Sequence, residues 1–266
     1  MGAFVVKGIS RTEMAGNPRP RIWEAEAGMI NSIGLQNVGV EAFIRDKVPR
    51  LQSIGTPWFV NVFGYSVEDY VEVVRQLDSV QGPAGYELNV SCPNTKHGGL
   101  FFSADPCLLT EVVQAVRETT EKSLIVKLSP NIAKIQPIAQ AAQAAGANAL
   151  SLVNTFISLA VDARTRRPRI GAGFGGLSGP AIKPIALRLV YEVAQAVSIP
   201  VIGLGGISTG EDAAEFIIAG ATAVQVGTAS FWDPAATVRI ARELDEFLKE
   251  EGIQSVRELV GTLRFN

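Results

Sequence analysis

The sequence predicts an α/β fold of the TIM (β/α)8 type, and three observations carry that expectation. Short apolar runs alternate with longer amphipathic ones along the chain, the pattern of repeated β-α units around a parallel sheet. Two Ala-Gly-Ala turns, Ala145-Gly-Ala147 and Ala219-Gly-Ala221, each end a helical pattern and lead into a strand pattern. The clearest glycine turns follow the last two strands, whereas a doubly wound dinucleotide-binding sheet carries its glycine signature after the first.

Taken in order, the strand patterns are Phe4 to Lys7, Pro57 to Phe63, Gly85 to Ser91, Leu124 to Leu128, Ala149 to Asn154, Pro200 to Leu204 and Ala223 to Gly227. Helical periodicity falls between them, over Val67 to Leu77, Pro106 to Thr119, Ile132 to Ala145, Ala181 to Val197, Gly210 to Ile218 and Pro234 to Leu248. Ser66 ahead of Val67-Glu68-Asp69 is an N-cap signal, and Gly146 and Gly220 stand where C-terminal glycines belong. Seven strands are one short of a closed barrel. The missing strand is expected before Phe4, and without it the barrel would expose an edge and part of its apolar interior. Residues 1–266 read as a single barrel domain.

The chain has 266 residues, 47% of them apolar, which is enough to bury a large core. A formal net charge of -2, with lysines and arginines scattered, leaves no basic stripe for a nucleic-acid backbone. The short run Arg164-Thr-Arg-Arg-Pro-Arg169 reads as a solvated loop. Two cysteines, Cys92 and Cys107, cannot form a disulfide framework and point to a reducing compartment. With His97 the one histidine, the chain lacks the clusters that a zinc or iron-sulfur site needs, so no metal site is expected in it. The N-terminus carries no signal-peptide pattern and no apolar run reaches a membrane span, so the expected location is cytoplasmic.

Catalytic groups of such barrels sit at the C-terminal ends of the strands, with phosphate usually after the seventh and eighth. Gly203-Leu-Gly-Gly-Ile-Ser208 and Val226-Gly-Thr-Ala229 place Gly205, Gly206, Gly227 and Thr228 there, where missing side chains let backbone N–H groups approach an anion. Either turn alone would be ordinary turn chemistry. Together they read as a split phosphate cradle, one that many barrel enzymes share. Lys127 and Lys7 end two other strands, placed either to balance ligand charge in the mouth or to pack their stems on the rim. The densest stretch is Glu87-Leu-Asn-Val-Ser-Cys-Pro-Asn94. Alternation aims Asn89 and Ser91 at one side, with Cys92-Pro93-Asn94 opening a loop over the mouth. There a stabilised thiolate could act as a base, whereas a buried cysteine is usually a small hydrophobe; Cys107, after Asp105-Pro106, reads as structural.

Asn89-Val-Ser-Cys-Pro-Asn94, with Asn31-Ser-Ile-Gly-Leu-Gln-Asn37 and Gly175-Gly-Leu-Ser-Gly-Pro-Ala-Ile-Lys-Pro184, resembles class 1 dihydroorotate dehydrogenase from Phe4 to near Thr262. The last two motifs resemble the catalytic subunit of its NAD-linked subclass, class 1B, rather than the fumarate-linked subclass. The quinone-linked, membrane-attached class uses a serine as base where this chain has Cys92. The resemblance implies FMN-dependent oxidation of dihydroorotate to orotate in pyrimidine biosynthesis. Cys92 would remove a proton while hydride leaves the neighbouring ring carbon. Asn31, Ile33, Gly34, Leu35, Asn89, Asn94, Asn154 and Thr155 would hold the pyrimidine, with Lys7 between it and the flavin. Asn61, Asn89, Lys127, Val153 and Gly179 would contact the flavin, and Gly205, Gly206, Gly227 and Thr228 its phosphate. The subclass pairs such a barrel, as a homodimer, with an electron-transfer subunit carrying FAD and an iron-sulfur cluster, giving a heterotetramer.

One departure is expected to matter. The family has a first strand, and a loop of small residues, ahead of the strand matching Phe4 to Lys7, so this chain is expected to bind FMN weakly or to be unstable. Three alternatives stay open. A dihydropyrimidine dehydrogenase-like flavin enzyme is disfavoured by Asn94, where that family tends to have histidine. A flavin-free phosphate-binding isomerase or synthase would leave the Cys92 loop without a purpose. A truncated, inactive barrel that binds a partner subunit fits the missing strand.

Overall fold

The structure, a computed structural model, describes residues 1–90 and 100–265, with only the backbone of 100 and 101. Its first half runs β1 (Phe4–Ile9), β2 (Ile22–Ala25), β3 (Gly28–Asn31), α1 (Val40–Asp46), α2 (Val48–Gln52), β4 (Trp58–Val62), α3 (Val67–Asp78), β5 (Gly85–Asn89), α4 (Leu100–Ala104), α5 (Pro106–Arg117) and β6 (Ser123–Lys127). There follow α6 (Gln136–Ala144), β7 (Ala149–Leu152), β8 (Phe156–Leu159), β9 (Val161–Asp162), β10 (Arg167–Pro168), β11 (Phe174–Ser178) and α7 (Lys183–Ala194). The chain finishes with β12 (Val201–Leu204), α8 (Gly210–Ile218), β13 (Ala223–Gln225), α9 (Ala229–Trp232), α10 (Ala236–Glu250) and a 3-10 turn, Val256–Leu259.

Seven strands form one sheet in the order β1-β4-β5-β6-β7-β12-β13, and every neighbouring pair is parallel. These are the seven strands expected from the sequence, in an open TIM-barrel-type arrangement whose free edges are β1 and β13. Alternation sorts their side chains. Val60, Val62, Tyr86, Leu88, Leu124, Val126, Leu150 and Leu152 are fully buried in the main core cluster. That cluster includes Val73 and Leu77 of α3, Val112 and Val116 of α5 and Val190 and Val193 of α7. Each such side chain stabilises the fold by about 1.5–3 kcal/mol relative to exposure, so the helical layer is held chiefly by this face. The opposite set, including Asn61, Glu87, Asn89, Lys127 and Ser151, lines the interior, where polar side chains bond one another.

Helix boundaries follow local chemistry. Ser66 caps α3 by accepting from Asp69 N–H, and Thr209 with Asp212 forms a capping box at α8. Asp105 accepts from the N–H groups of Cys107 and Leu108 at the start of α5, where Cys107 is exposed. Gly146 (φ 100) and Gly220 (φ 117) adopt the positive φ that ends α6 and α8. The helix expected from Ile132 begins only at Gln136, because Asn131 turns the preceding segment toward β8, donating to Thr155 O and accepting from Ile157 N–H. The helix expected over Ala181 to Val197 opens instead with a 3-10 turn, Pro180–Ile182, before α7.

A second sheet, antiparallel and in the order β2-β3-β11-β8, is one that the sequence patterns do not predict. Beside it the arginine run forms a small hairpin of β9 and β10. Arg169 pairs with Asp162 at 3.2 Å and lies over the Trp23 ring, while Arg164, Arg166 and Arg167 are exposed. Among the described residues no helix is long and apolar enough to cross a membrane.

Candidate active site

The C-terminal ends of β6, β7, β12 and β13 converge on one cavity. Nine residues singled out from the sequence line it: Lys127, Val153, Asn154, Thr155, Gly179, Gly205, Gly206, Gly227 and Thr228. At its glycine end, Gly205 (φ 126) and Gly206 (φ 87) hold conformations that disfavour any Cβ. A Cβ on Gly206 would lie 2.8 Å from Gly179 O, whereas one on Gly227 would meet nothing within 4 Å. No acceptor among the described residues takes the backbone N–H of Gly206, Gly227 or Thr228. Three open donors beside side-chain-free backbone suit the oxygens of a phosphate.

The loop after Gly206 is held from behind. Asp212 accepts from Ser208 N–H at 2.8 Å and Thr209 N–H at 2.9 Å, and its other oxygen accepts from Lys183 Nζ at 2.6 Å. Lys183 also reaches Glu215 at 2.8 Å. Burial pushes the Asp212 carboxyl up, but Lys183 and the Ser208 N–H outweigh it and hold the group below its ordinary value. For Lys183, burial is likewise outweighed by the two carboxylates, which raise its pKa.

The half-buried Lys127 ends β6 in register with Asn89 of β5 and Ser151 of β7. Asn154 donates to Asn89 Oδ1 at 3.2 Å, and Tyr70 OH fixes the Asn89 carbonyl at 3.0 Å, so two expected substrate amides form one connected unit. Asn61 is 7% exposed and donates to Glu87 Oε1 at 2.7 Å in the barrel interior.

The small sheet carries the remaining expected groups. Asn31 ends β3 opposite Gly176 of β11, with its Nδ2 3.5 Å from Gly176 O. Ile33 accepts from Asn17 N–H at 2.9 Å, and Gly34 (φ 73) and Leu35 (φ 56) make the turn that follows. Gly179 (φ 99) ends β11 so close to Gly28 that a Cβ would lie 2.8 Å from its Cα. Lys7 is exposed where the register of β1 shifts, and it borders a different cavity, with Val6, Met14, Phe43 and Leu51. Cys92 and Asn94 lie outside the described residues.

Sequence reasoning passed over Gln225, Ser178 and Trp232, which line the cavity at the ends of β6, β7, β12 and β13, and it quoted Glu87 without a role. The signal for Glu87 was present, since it stands two residues before Asn89 and so shares its face of β5.

An open parallel barrel whose strand ends gather a lysine, linked amides and paired glycine turns has the layout of an α/β-barrel enzyme. The family described as dihydroorotate dehydrogenase matches residues 1–248. A protein of Solibacter usitatus (strain Ellin6076), a putative dihydroorotate dehydrogenase A (fumarate), is 68% identical over 265 residues, covering 100% of this chain and 87% of its own. The dihydroorotate dehydrogenase B (NAD(+)) catalytic subunit of Geobacter metallireducens is 55% identical over 264 residues, covering 99% and 87%. That of Geobacter sulfurreducens is 54% identical over 263 residues, covering 99% and 86%. The chain belongs to the dihydroorotate dehydrogenase family, flavin-dependent oxidoreductases, and its resemblance to class 1B agrees with the names of the two Geobacter proteins.

Proposed function

We propose that residues 1–266 act as one barrel domain that oxidises dihydroorotate to orotate with FMN, and that the cavity at the ends of β12 and β13 holds the FMN phosphate. The observation that carries this reading is the set of open N–H groups at Gly206, Gly227 and Thr228, in a cavity that Lys127 also lines. Bound FMN supplies a two-electron acceptor for the hydride that leaves the substrate ring. Lys127 offsets the negative charge that arrives with those electrons. Asn61, Asn89, Val153 and Gly179 hold the flavin; for Lys7, which borders a different cavity, a place between flavin and substrate rests on the motif resemblance alone.

Cys92 removes the proton from the ring carbon beside the one that loses hydride, as a thiolate base suited to near-neutral pH. Asn31, Ile33, Gly34, Leu35, Asn89, Asn94, Asn154 and Thr155 hold the pyrimidine by its amide edges and carboxylate. The Asn154–Asn89 hydrogen bond supports this reading, since it ties the two amides into one unit, in which Asn154 Oδ1 also accepts from Thr155 N–H at 2.8 Å.

For the electron acceptor, the reading is a homodimer of this chain paired with an FAD and iron-sulfur subunit that passes electrons to NAD. Its support is the motif resemblance together with the names of the two Geobacter relatives. A second reading, direct reoxidation by fumarate, is favoured by the name of the Solibacter protein at 68% identity. Anaerobic mixing of the FMN-loaded protein with dihydroorotate tests the core proposal: the flavin absorbance bleaches, while dihydrouracil leaves it unchanged. Bleaching by dihydrouracil instead would overturn the substrate assignment. Adding fumarate to the reduced protein then separates the two acceptors, since only the fumarate reading restores the oxidised spectrum without a partner subunit.

A further inference from the structure

Glu87 is the buried charge that the proposed reaction leaves unused. It is 1% exposed, on the interior face of β5, and its contacts reach three other strands. Oε1 accepts from Asn61 Nδ2 of β4 at 2.7 Å, and Oε2 accepts from Ser151 Oγ of β7 at 2.9 Å and from Gln225 Nε2 of β13 at 3.0 Å. In the sheet order β13 stands four places from β5, so the last contact crosses the interior instead of following the sheet. Burying a carboxylate costs several kcal/mol unless donors surround it, and here they do.

A carboxylate can only accept, whereas an amide donates from one end and accepts at the other. Glu87 therefore decides which way two amides face. Gln225 must turn its NH2 inward and keep its carbonyl oxygen for the cavity that it lines with Lys127 and Gly227. Asn61 likewise turns its NH2 toward Glu87, which leaves its Oδ1 facing Gly8, 2.8 Å from where a Cβ on that glycine would stand, so the glycine makes room for this orientation. We propose that Glu87 is a positioning residue for the flavin: it fixes the amides of Gln225 and Asn61 so that the cavity floor offers the ligand a carbonyl acceptor at Gln225. The proposal rests on the flavin reading above, and it adds Gln225 to the groups that contact the cofactor.

FMN titration of the full chain, followed by flavin fluorescence, tests the proposal in Glu87→Gln, Gln225→Leu, the double variant and Ser151→Ala. Glu87→Gln keeps the shape but offers an NH2 in place of one acceptor oxygen, so at least one neighbouring amide must turn. Each of Glu87→Gln and Gln225→Leu is expected to weaken FMN binding about tenfold, the size of one lost hydrogen bond. The double variant is expected to stay near tenfold, because both changes remove the same oriented carbonyl. Ser151→Ala removes a donor to Glu87 without turning an amide, and should leave FMN affinity within about twofold.

An unchanged affinity in Glu87→Gln, or a hundredfold loss in the double variant, would overturn the proposal. Should Glu87→Gln fail to fold, the remaining pair decides: the proposal stands if Gln225→Leu weakens FMN and Ser151→Ala does not, and falls if both weaken it alike. Failure of the unsubstituted protein to bind FMN would count against the flavin reading itself, a result distinct from any of these.

Discussion

The two sheets of this protein are built by different rules, and on the proposed reading the small one serves mainly the substrate. The seven-stranded parallel sheet is sealed on its outer side by helices, and its strands present β-branched and leucine side chains at full burial. The four-stranded antiparallel sheet is short and half-exposed: Ile157 and Leu159 of β8 are each 48% exposed, and Phe174 of β11 is 62% exposed. On the proposed reading, Lys127 and the cradle glycines of the first sheet hold the flavin, whereas Asn31 and the turn through Gly34 and Leu35, carried by the second, hold the pyrimidine. On that reading the buried layer carries the cradle for the group that stays bound, and the less buried layer adds Asn31 and its turn to the substrate amides Asn89 and Asn154.

The largest test of that division is Cys92→Ala. Loss of a general base slows substrate-driven flavin reduction by about 10²- to 10⁴-fold, measured by stopped-flow absorbance, while the FMN dissociation constant stays where it was. An unchanged reduction rate would remove Cys92 as the base. On the cofactor side, Gly206→Ala places a Cβ at φ 87 and 2.8 Å from Gly179 O. Strain and displacement of about 2–3 kcal/mol should weaken FMN binding roughly hundredfold. A flavin titration that finds full affinity would move the phosphate elsewhere. Asn31→Ala, on the small sheet, is expected to raise KM for dihydroorotate about tenfold with FMN affinity unaltered. If it loosens FMN equally, the two sheets do not divide the work.

The same contrast explains how much was legible in the sequence. Each barrel strand announces itself because burial on the helical side demands a compact apolar run, as in Leu124-Ile-Val126, and its polar end residue then marks the mouth. The proposed cradle was legible only through its pairing, since either glycine turn alone is ordinary turn chemistry and two at the last two strand ends are what stand out. The second sheet was not. β2 is four residues, Ile22-Trp-Glu-Ala25, without a buried face to impose alternation, and β11 contains Gly175 and Gly176, which ordinarily argue against a strand. Gly176 is there because Thr155 Oγ1 would stand only 2.0 Å from its Cβ, a long-range contact that no local pattern encodes. The bond from Glu87 to Gln225 is equally hidden: 138 residues separate the partners, and only closure of the sheet toward its far side brings them together.

The smallest expected effect concerns the brace behind the cradle. The Asp212 carboxyl is held below its ordinary value of 3.8, with burial opposing and Lys183 and the Ser208 N–H prevailing. A group whose folded pKa is depressed adds stability above its unfolded pKa and loses it as pH falls through the folded one. The protein should therefore shed this increment on acidification through and below the ordinary aspartate range, and Asp212→Asn, which carries no titrating group there, should show a flatter decline in melting temperature over the same range. Lys183 keeps Glu215 as a partner at 2.8 Å, so the lysine is not left stranded and the overall loss at neutral pH stays modest. The turn from Ser208 to Thr209 loses a charged acceptor all the same, and FMN affinity should drop a few-fold at neutral pH while the reduction rate of the bound flavin holds. Parallel melting curves at every pH would show that Asp212 contributes no titrating stability, leaving the cradle to be held by its glycine geometry alone.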